Sequence, residues 1–389
     1  VPGSNPNRVR RITSDFTPQP PRDTQQAEAK RYGRRRLACA LADKAIDLAV
    51  LAVFTLAART IDAWLTQTSL LARNDSLRLL ALLVVIFVVQ LAVSFPLAFY
   101  SGYLLERSFQ LTTLTPARWL KRFAGRSLLG LALAAPLMLG LYWIIWTTGG
   151  RWWLVAAGAF FVVSVVFGQL APVLIVPLFY KVERIDVPEL TERIGRLAAG
   201  TGLSIEGVYR IALSTETVKA NAALAGIGRT RRVLLGDTLL SNFTPAEIEV
   251  IFAHEIGHHV FHHLWRMIAS GAISAAAVFW LTDRGLAWWV AGQGGPADPA
   301  QLPAWTLPGL LLALSVLGLL LEPIQNTIVR SYERQCDRYA LQRTGQREAY
   351  RSAFEKLARL NKADTDPPRL EVILFHSHPP IGERLKMAE

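Results

Sequence analysis

Long uncharged stretches alternate along the chain with short, strongly charged ones. Leu79 to Leu105, Ser127 to Gly150, Trp152 to Tyr180 and Leu302 to Leu321 carry no Asp, Glu, Lys or Arg. Each reaches the roughly 20 residues that a helix needs to cross a bilayer. Met267 to Leu281 is shorter, and Leu286 to Val290 extends it past Asp283 and Arg284. Ala45 to Leu65 is the least apolar, since it holds Asp47, Arg59 and Asp62. The pattern predicts a mostly α polytopic membrane protein, a bundle of about six transmembrane helices. Pro96, Pro136, Pro172 and Pro177 fall in or near these spans, and bent helices can be accommodated where neighbours or water satisfy the freed carbonyls.

Elsewhere the pattern is that of a water-facing fold. Residues 1–36, rich in Pro, Gln, Arg and Thr with almost no apolar periodicity, are expected to be a disordered basic arm. Residues 37–180 hold four spans, 181–263 a small α+β segment, 264–325 the last two spans, and 326–389 a C-terminal segment. Within 181–263, Pro188 to Ala199 has helical spacing with Gly200 as its stop. Val208 to Leu213, Val218 to Leu224 and Arg232 to Leu235 are predicted as short strands, the last two joined through Gly226-Ile227-Gly228. Asn221 lies in one of those strands, and a peptide could add to its edge through backbone hydrogen bonds. Gln346 to Leu360 is predicted as an amphipathic helix.

Charge changes the picture in one respect. The net charge of +12 could signal nucleic acid, but its distribution points to the bilayer instead. Arg34 to Arg36 precede the first span, and Arg107, Arg118, Lys121, Arg122 and Arg126 fill the loop before the third. Opposite loops hold only Arg73, Arg78, Arg151 and Arg284. By the positive-inside rule both termini and the segment 181–263 are expected to be cytoplasmic, which suits an even number of spans. No nucleic acid is implied and no cleavable signal peptide is visible. Cys39 and Cys336, far apart, indicate neither a disulfide framework nor a thiolate metal site.

Candidate chemistry gathers at His254-Glu255-Ile256-Gly257-His258. On a helix the two histidines share a face and can bind one zinc ion, with Glu255 placed to take a proton from a water. The helix itself is signalled by Thr244-Pro245-Ala246-Glu247: an N-cap, a first-turn proline and a capping-box glutamate, with Phe243 and Ile248 as staple. His259, His262 and His263 follow, either as a solvated basic helix end or as part of a second metal site.

A third ligand must come from elsewhere. Asn326 to Gln342 continues the last span as a helix with Glu333 and Asp337 on one face. Glu333 would complete a two-histidine, one-carboxylate site, and Asp337 could hold the outer nitrogen of a ligand histidine. The alternative is an exposed acidic pair among Arg330, Arg334 and Arg338. The two remaining histidines lie in Phe375-His376-Ser377-His378-Pro379-Pro380-Ile381-Gly382-Glu383-Arg384. His378 and Arg384, if brought near zinc, could stabilise an oxyanion; otherwise this is a proline-stiffened surface turn.

Taken together, these motifs resemble the type I CAAX prenyl protease family of integral-membrane zinc endopeptidases. The resemblance covers roughly residues 75–386. It includes Tyr100-Ser101, Leu105-Glu106-Arg107-Ser108-Phe109, Pro177-Leu178-Phe179-Tyr180-Lys181, Asn221-Ala222 and Leu235-Gly236-Asp237-Thr238-Leu239-Leu240. It implies one Zn2+ held by His254, His258 and Glu333, with Glu255 as general base. Asp337 would stand behind a ligand, and Asn221, His378 and Arg384 would contact the substrate or oxyanion. It also implies helices around a large intramembrane cavity, with the site near the cytoplasmic side. The partners implied are the lipid bilayer and a peptide or protein substrate, prenylated or otherwise membrane-associated. The sequence departs from the eukaryotic pattern in having six spans rather than seven, and in lacking a second glutamate and Gly-Phe-Asn after Glu106. A bacterial quality-control zinc protease, or a binding or transport protein with a structural metal, are the alternatives.

Overall fold

The computed structural model describes residues 22–226 and 231–389. The chain enters on helix α1 (Arg22–Leu56), continued by α2 (Ala58–Leu65) and the single turn α3 (Ser69–Ala72). Helix α4 (Asp75–Phe99) passes through a π-helical segment (Tyr100–Leu105) into α5 (Glu106–Ser108). Helices α6 (Pro116–Thr148) and α7 (Trp152–Leu170) form a hairpin that reverses at Gly149, whose φ of 52° suits a residue without Cβ. A second π-helical segment (Ala171–Ile175) contains Pro172, and α8 (Val176–Phe179) contains Pro177. The missing proline N–H groups loosen the ladder there.

Four strands follow, interleaved with α9 (Pro188–Ala198): β1 (Val182–Ile185), β2 (Ile205–Ile211), β3 (Ala222–Ala225) and β4 (Arg231–Gly236). Their order is β1-β2-β4-β3, with β2 and β4 parallel and the other pairs antiparallel, so β3 is an edge. Next come α10 (Asp237–Asn242), α11 (Pro245–Val260), α12 (His263–Gly292) and the 38-residue α13 (Leu307–Thr344). The chain closes with α14 (Arg347–Leu360), α15 (Arg369–Phe375) and α16 (Ile381–Lys386).

Among the described residues four helical stretches are long and apolar enough to cross a membrane: 75–108, 116–179, 263–292 and 304–344. The second contains the α6–α7 hairpin, which makes five apolar helices. The expected first span, 45–65, is not one of the four by composition. Together with the first turns of α1 it nevertheless runs antiparallel to α4 and α5. Asp62 pairs with Arg78 at 3.1 Å, Gln90 donates to Asp47, and Tyr32 donates to Glu106 at 2.5 Å.

The buried cores lie at the two ends of the bundle. One end packs Leu79, Leu82, Tyr142, Ile145, Trp152, Val290, Trp305 and Leu310; the other packs Ile194, Val208, Val233, Leu235, Phe252, Ile256 and Ala353. Between them, only 22, 0, 11 and 33% of the most apolar windows of the four stretches are buried. Helix surfaces as bare and apolar as Val162, Ile273 and Leu320 (58, 72 and 66% exposed) need lipid rather than water.

Three expectations are corrected here. Residues 22–36, expected to be disordered, are the first turns of α1, where Ala29 and Tyr32 are buried. Residues 1–21 of that arm lie outside the described residues, as do Ile227 and Gly228 of the expected turn. Strand β1 was not expected, because its four residues are too few for an alternation to register. Asn221 precedes β3 instead of lying within it, since the strand starts one residue later.

Candidate metal centre

Helix α11 is set by its first turn. Thr244 accepts from the Glu247 N–H at 3.3 Å and Glu247 accepts from the Thr244 N–H at 2.7 Å, closing the expected capping box. Lys356 and Ser352 of α14 also bond Glu247, at 2.7 and 2.5 Å. Burial alone would raise this carboxyl, and those bonds more than offset it, so its pKa lies below the usual value.

Two turns on, His254 is buried and His258 half-buried, their rings 5.2 Å apart. Helix α13 lies against this face. Glu333 Oε2 is 3.2 Å from His254 Nε2, and Oε1 is 3.2 Å from His258 Nε2. The three ligand atoms lie within 4.8 Å of one another. Glu333 is 3% exposed and Asp337 0%, so the alternative of a solvated acidic pair is excluded.

The donor set fits a cation. Glu333 Oε2 is buried yet has no hydrogen-bond partner, although ring nitrogens of His254 and His378 stand 3.2 and 2.8 Å away. An orphaned buried oxygen facing imidazole lone pairs is costly unless a positive charge lies between them. Burial disfavours a charged ring at His254, but the neighbouring Asp337 and Glu333 carboxylates outweigh it and raise its pKa to about 9, which expresses the same demand for positive charge at this spot. Two imidazoles and one carboxylate with further space beside them is the donor set of a catalytic zinc site.

Behind His254, Asp337 Oδ1 meets Nδ1 at 2.9 Å, and Arg384 clamps Asp337 with Nε to Oδ2 at 2.9 Å and Nη2 to Oδ1 at 2.5 Å. Arg384 is 8% exposed and its guanidinium lies 4.0 Å from the centre of the Phe354 ring. Two of its N–H groups are thus engaged with Asp337 behind His254, while the residue also lines the cavity described below. His378 remains largely exposed on the near side. His376 pairs with Glu371, 3.2 Å from it.

A cavity of about 640 Å³ opens beside these groups, lined by Asn221, His254, Glu255, Glu333, His378 and Arg384 among others. Its wall also includes Tyr32, Gly33, Arg36 and Leu37 of α1, which no sequence signal marked as part of a site. Lys219 fixes that wall by bonding Glu106 at 2.8 Å and Tyr32 at 2.9 Å, and Lys362 pairs with Glu28 at 2.6 Å. Burial pushes the Lys219 ammonium down, against the bond to Glu106. The Asn361 side chain bonds the backbone of Ala220, just before β3, at 3.0 and 3.3 Å.

Of the trailing histidines, His259 and His262 sit on the half-buried or exposed rim, as a helix end would have them. His263 does not. It is fully buried, with Nδ1 3.2 Å from His258 Nδ1 and Nε2 3.0 Å from Gln335 Oε1. His262, at φ 58°, breaks the helix and turns the next ring inward, which no helical spacing rule anticipates.

Known proteins share both the sequence and the architecture. Residues 185–389 match the family model for peptidase family M48. Residues 9–181 match that for the CAAX prenyl protease N-terminal region, described as five membrane helices. The described part of that region holds three helices apolar enough to cross a membrane, α4, α6 and α7, with α1 and α2 alongside α4. The uncharacterized metalloprotease YhfN of Bacillus subtilis is 31% identical over 74% of this chain and 68% of its own. CAAX prenyl protease 1 of Saccharomyces cerevisiae is 26% identical over 75% of this chain and 68% of its own. The crystal structure of S. mikatae Ste24p superposes with a TM-score of 0.81 at 24% identity, covering 95% of this chain and 91% of that one.

Proposed function

We propose, from the premise that the chain belongs to peptidase family M48 and is a membrane metalloendopeptidase, that it cuts peptide bonds at the cavity between α1 and α11. His254, His258 and Glu333 would hold one zinc ion. A zinc ion there supplies Lewis-acid chemistry, making a water more acidic and polarising the scissile carbonyl. Glu255, which lines the cavity directly beside the ligands, takes the proton from the attacking water and returns it to the leaving amine. His378, exposed on the cavity side, stabilises the oxyanion. Asp337 and Arg384 keep His254 in the tautomer that leaves Nε2 free.

A substrate backbone would extend from Asn221 along β3, the edge strand. Support comes from Asn361, whose amide already bonds the Ala220 backbone as a neighbouring strand would. The observation that carries this reading is that the ligand set borders an open cavity, whereas a structural metal site is closed on all sides. The likeness to CAAX prenyl protease 1 supports a membrane-associated substrate with a lipidated C-terminus. Arg107, Arg118, Lys121, Arg122 and Arg126 belong to the catalytic pole, where Arg122 and Arg126 pair with Glu216 at 2.6 and 3.1 Å. This excess of positive charge supports a cytoplasmic catalytic pole.

The test is Glu255→Gln in the purified, lipid-reconstituted protein. Peptide hydrolysis should fall by at least about 1000-fold, in the range of a lost general base and its coupled steps, with zinc content unchanged. A fully active Gln variant would refute the assignment. Comparing a farnesylated CAAX peptide with an unprenylated misfolded membrane protein then separates the substrate classes.

A further inference from the structure

We propose that His263 is a positioning residue that fixes the tautomer and aim of His258; this rests on His258 being a zinc ligand. His258 cannot bind a metal through Nε2 unless its proton sits on Nδ1, and a donor placed there inside the protein needs an acceptor. Asp337 serves His254 in this way, but among the described residues no carboxylate bonds His258 Nδ1. What lies 3.2 Å from its Nδ1 is the Nδ1 of His263. That atom can accept only if His263 carries its own proton on Nε2. The Gln335 side-chain oxygen, 3.0 Å from Nε2, accepts it.

The chain of bonds is therefore directional: Gln335 Oε1 accepts from His263 Nε2, and His263 Nδ1 accepts from His258 Nδ1, leaving His258 Nε2 bare toward Glu333. The Cys336 thiol, its sulfur 3.5 Å from the same His263 Nδ1, is a weaker and longer-range donor that leaves that nitrogen's single lone pair to His258. Tyr332 stacks on His263 with centroids 4.3 Å apart and planes 14° off parallel, which prevents the ring from turning. Zinc would thus be braced from behind on both histidines, by a charged pair at His254 and by a neutral relay at His258. The three atoms of His258, His263 and Cys336 also form a cluster of metal-ligand type, which makes a second ion the competing account.

Zinc competition against a chromophoric chelator, on the detergent-purified full chain, decides between them without measuring activity. His263→Leu should weaken zinc affinity about 10- to 100-fold. His263→Asn, whose amide oxygen takes the place of Nδ1, should restore it to within about threefold of wild type. Gln335→Leu, at a half-buried position that folding tolerates more readily, should fall between the two. Wild type should bind one ion per chain. Equal loss in the Leu and Asn variants, matched by equally lowered melting of the metal-free proteins, would reduce His263 to a packing residue. Unchanged affinity in both His263→Leu and Gln335→Leu, or a second ion per chain that Cys336→Ser removes, would also overturn the proposal.

Discussion

At Gly257 a side chain would be crowded, because an added Cβ would come within 3.1 Å of both Cα and Sγ of Cys336. That close approach lets α13 lie against the metal face of α11, and Glu333 and Asp337 flank Cys336 on the same helix. Gly257→Ala should push the helices apart by a few tenths of an ångström and destabilise the protein by about 1–3 kcal/mol. Calorimetry and metal analysis should show a lower melting temperature and reduced zinc content; wild-type values for both would mean that the contact is slack. Asp337→Asn, which keeps an acceptor but removes the charge facing Arg384, should weaken zinc binding roughly tenfold or more in chelator competition. At this scale the sequence was informative where the residues that the structure brings together follow a local rule. His254, Glu255 and His258 are one helical turn, and Glu333 and Asp337 another. It was uninformative where a partner arrives from afar, as Arg384 does at Asp337, or where a single left-handed residue turns His263 inward.

Among the elements, α11 was legible down to its cap, since a capping box is four consecutive residues. The same box sets a pH dependence. The folded pKa of Glu247 is depressed, so its stabilising contribution is fully present above the unfolded carboxyl value of about 4.3 and is lost as the pH falls through the lower folded value. The melting difference between wild type and Glu247→Gln should be largest near neutrality and shrink as the pH drops below about 4. A constant difference would mean that the glutamate acts through shape alone. Helix α1 was legible only in its second half. Its first half buries Ala29, Tyr32 and Cys39, which share one face, but a small residue, a phenol and a thiol among glutamines and arginines give no apolar stripe. What orders it is the set of bonds from Tyr32, Glu28 and Gln26 to Glu106, Lys362 and Asp364. Those partners lie 74 to 338 residues away, beyond any window of periodicity.

For the whole molecule, the positive-charge asymmetry makes orientation testable. A cysteine placed at Arg210, on the sheet, should react with a membrane-impermeant maleimide only after spheroplasts are permeabilised, and one at Arg151, in the α6–α7 turn, should react in intact ones. The reverse pattern would invert the topology and leave the site unchanged. The crossing helices were legible because lipid demands apolar runs whatever their partners are; the pairing of α1–α2 with α4 was not, because it depends on Asp47, Gln90, Asp62 and Arg78 meeting across the bundle. One further consequence follows from α13, which is anchored by Leu307 and Leu310 in the core of one pole and presents Glu333 at the other. The 23 rises from Leu310 to Glu333 span about 35 Å of helix, so a tilt of one degree swings the carboxylate by about 0.6 Å. A lever of this length, with Pro323 as its one weak point, predicts that turnover in vesicles rises and falls with acyl-chain length, with its optimum where the helix stands at its native angle.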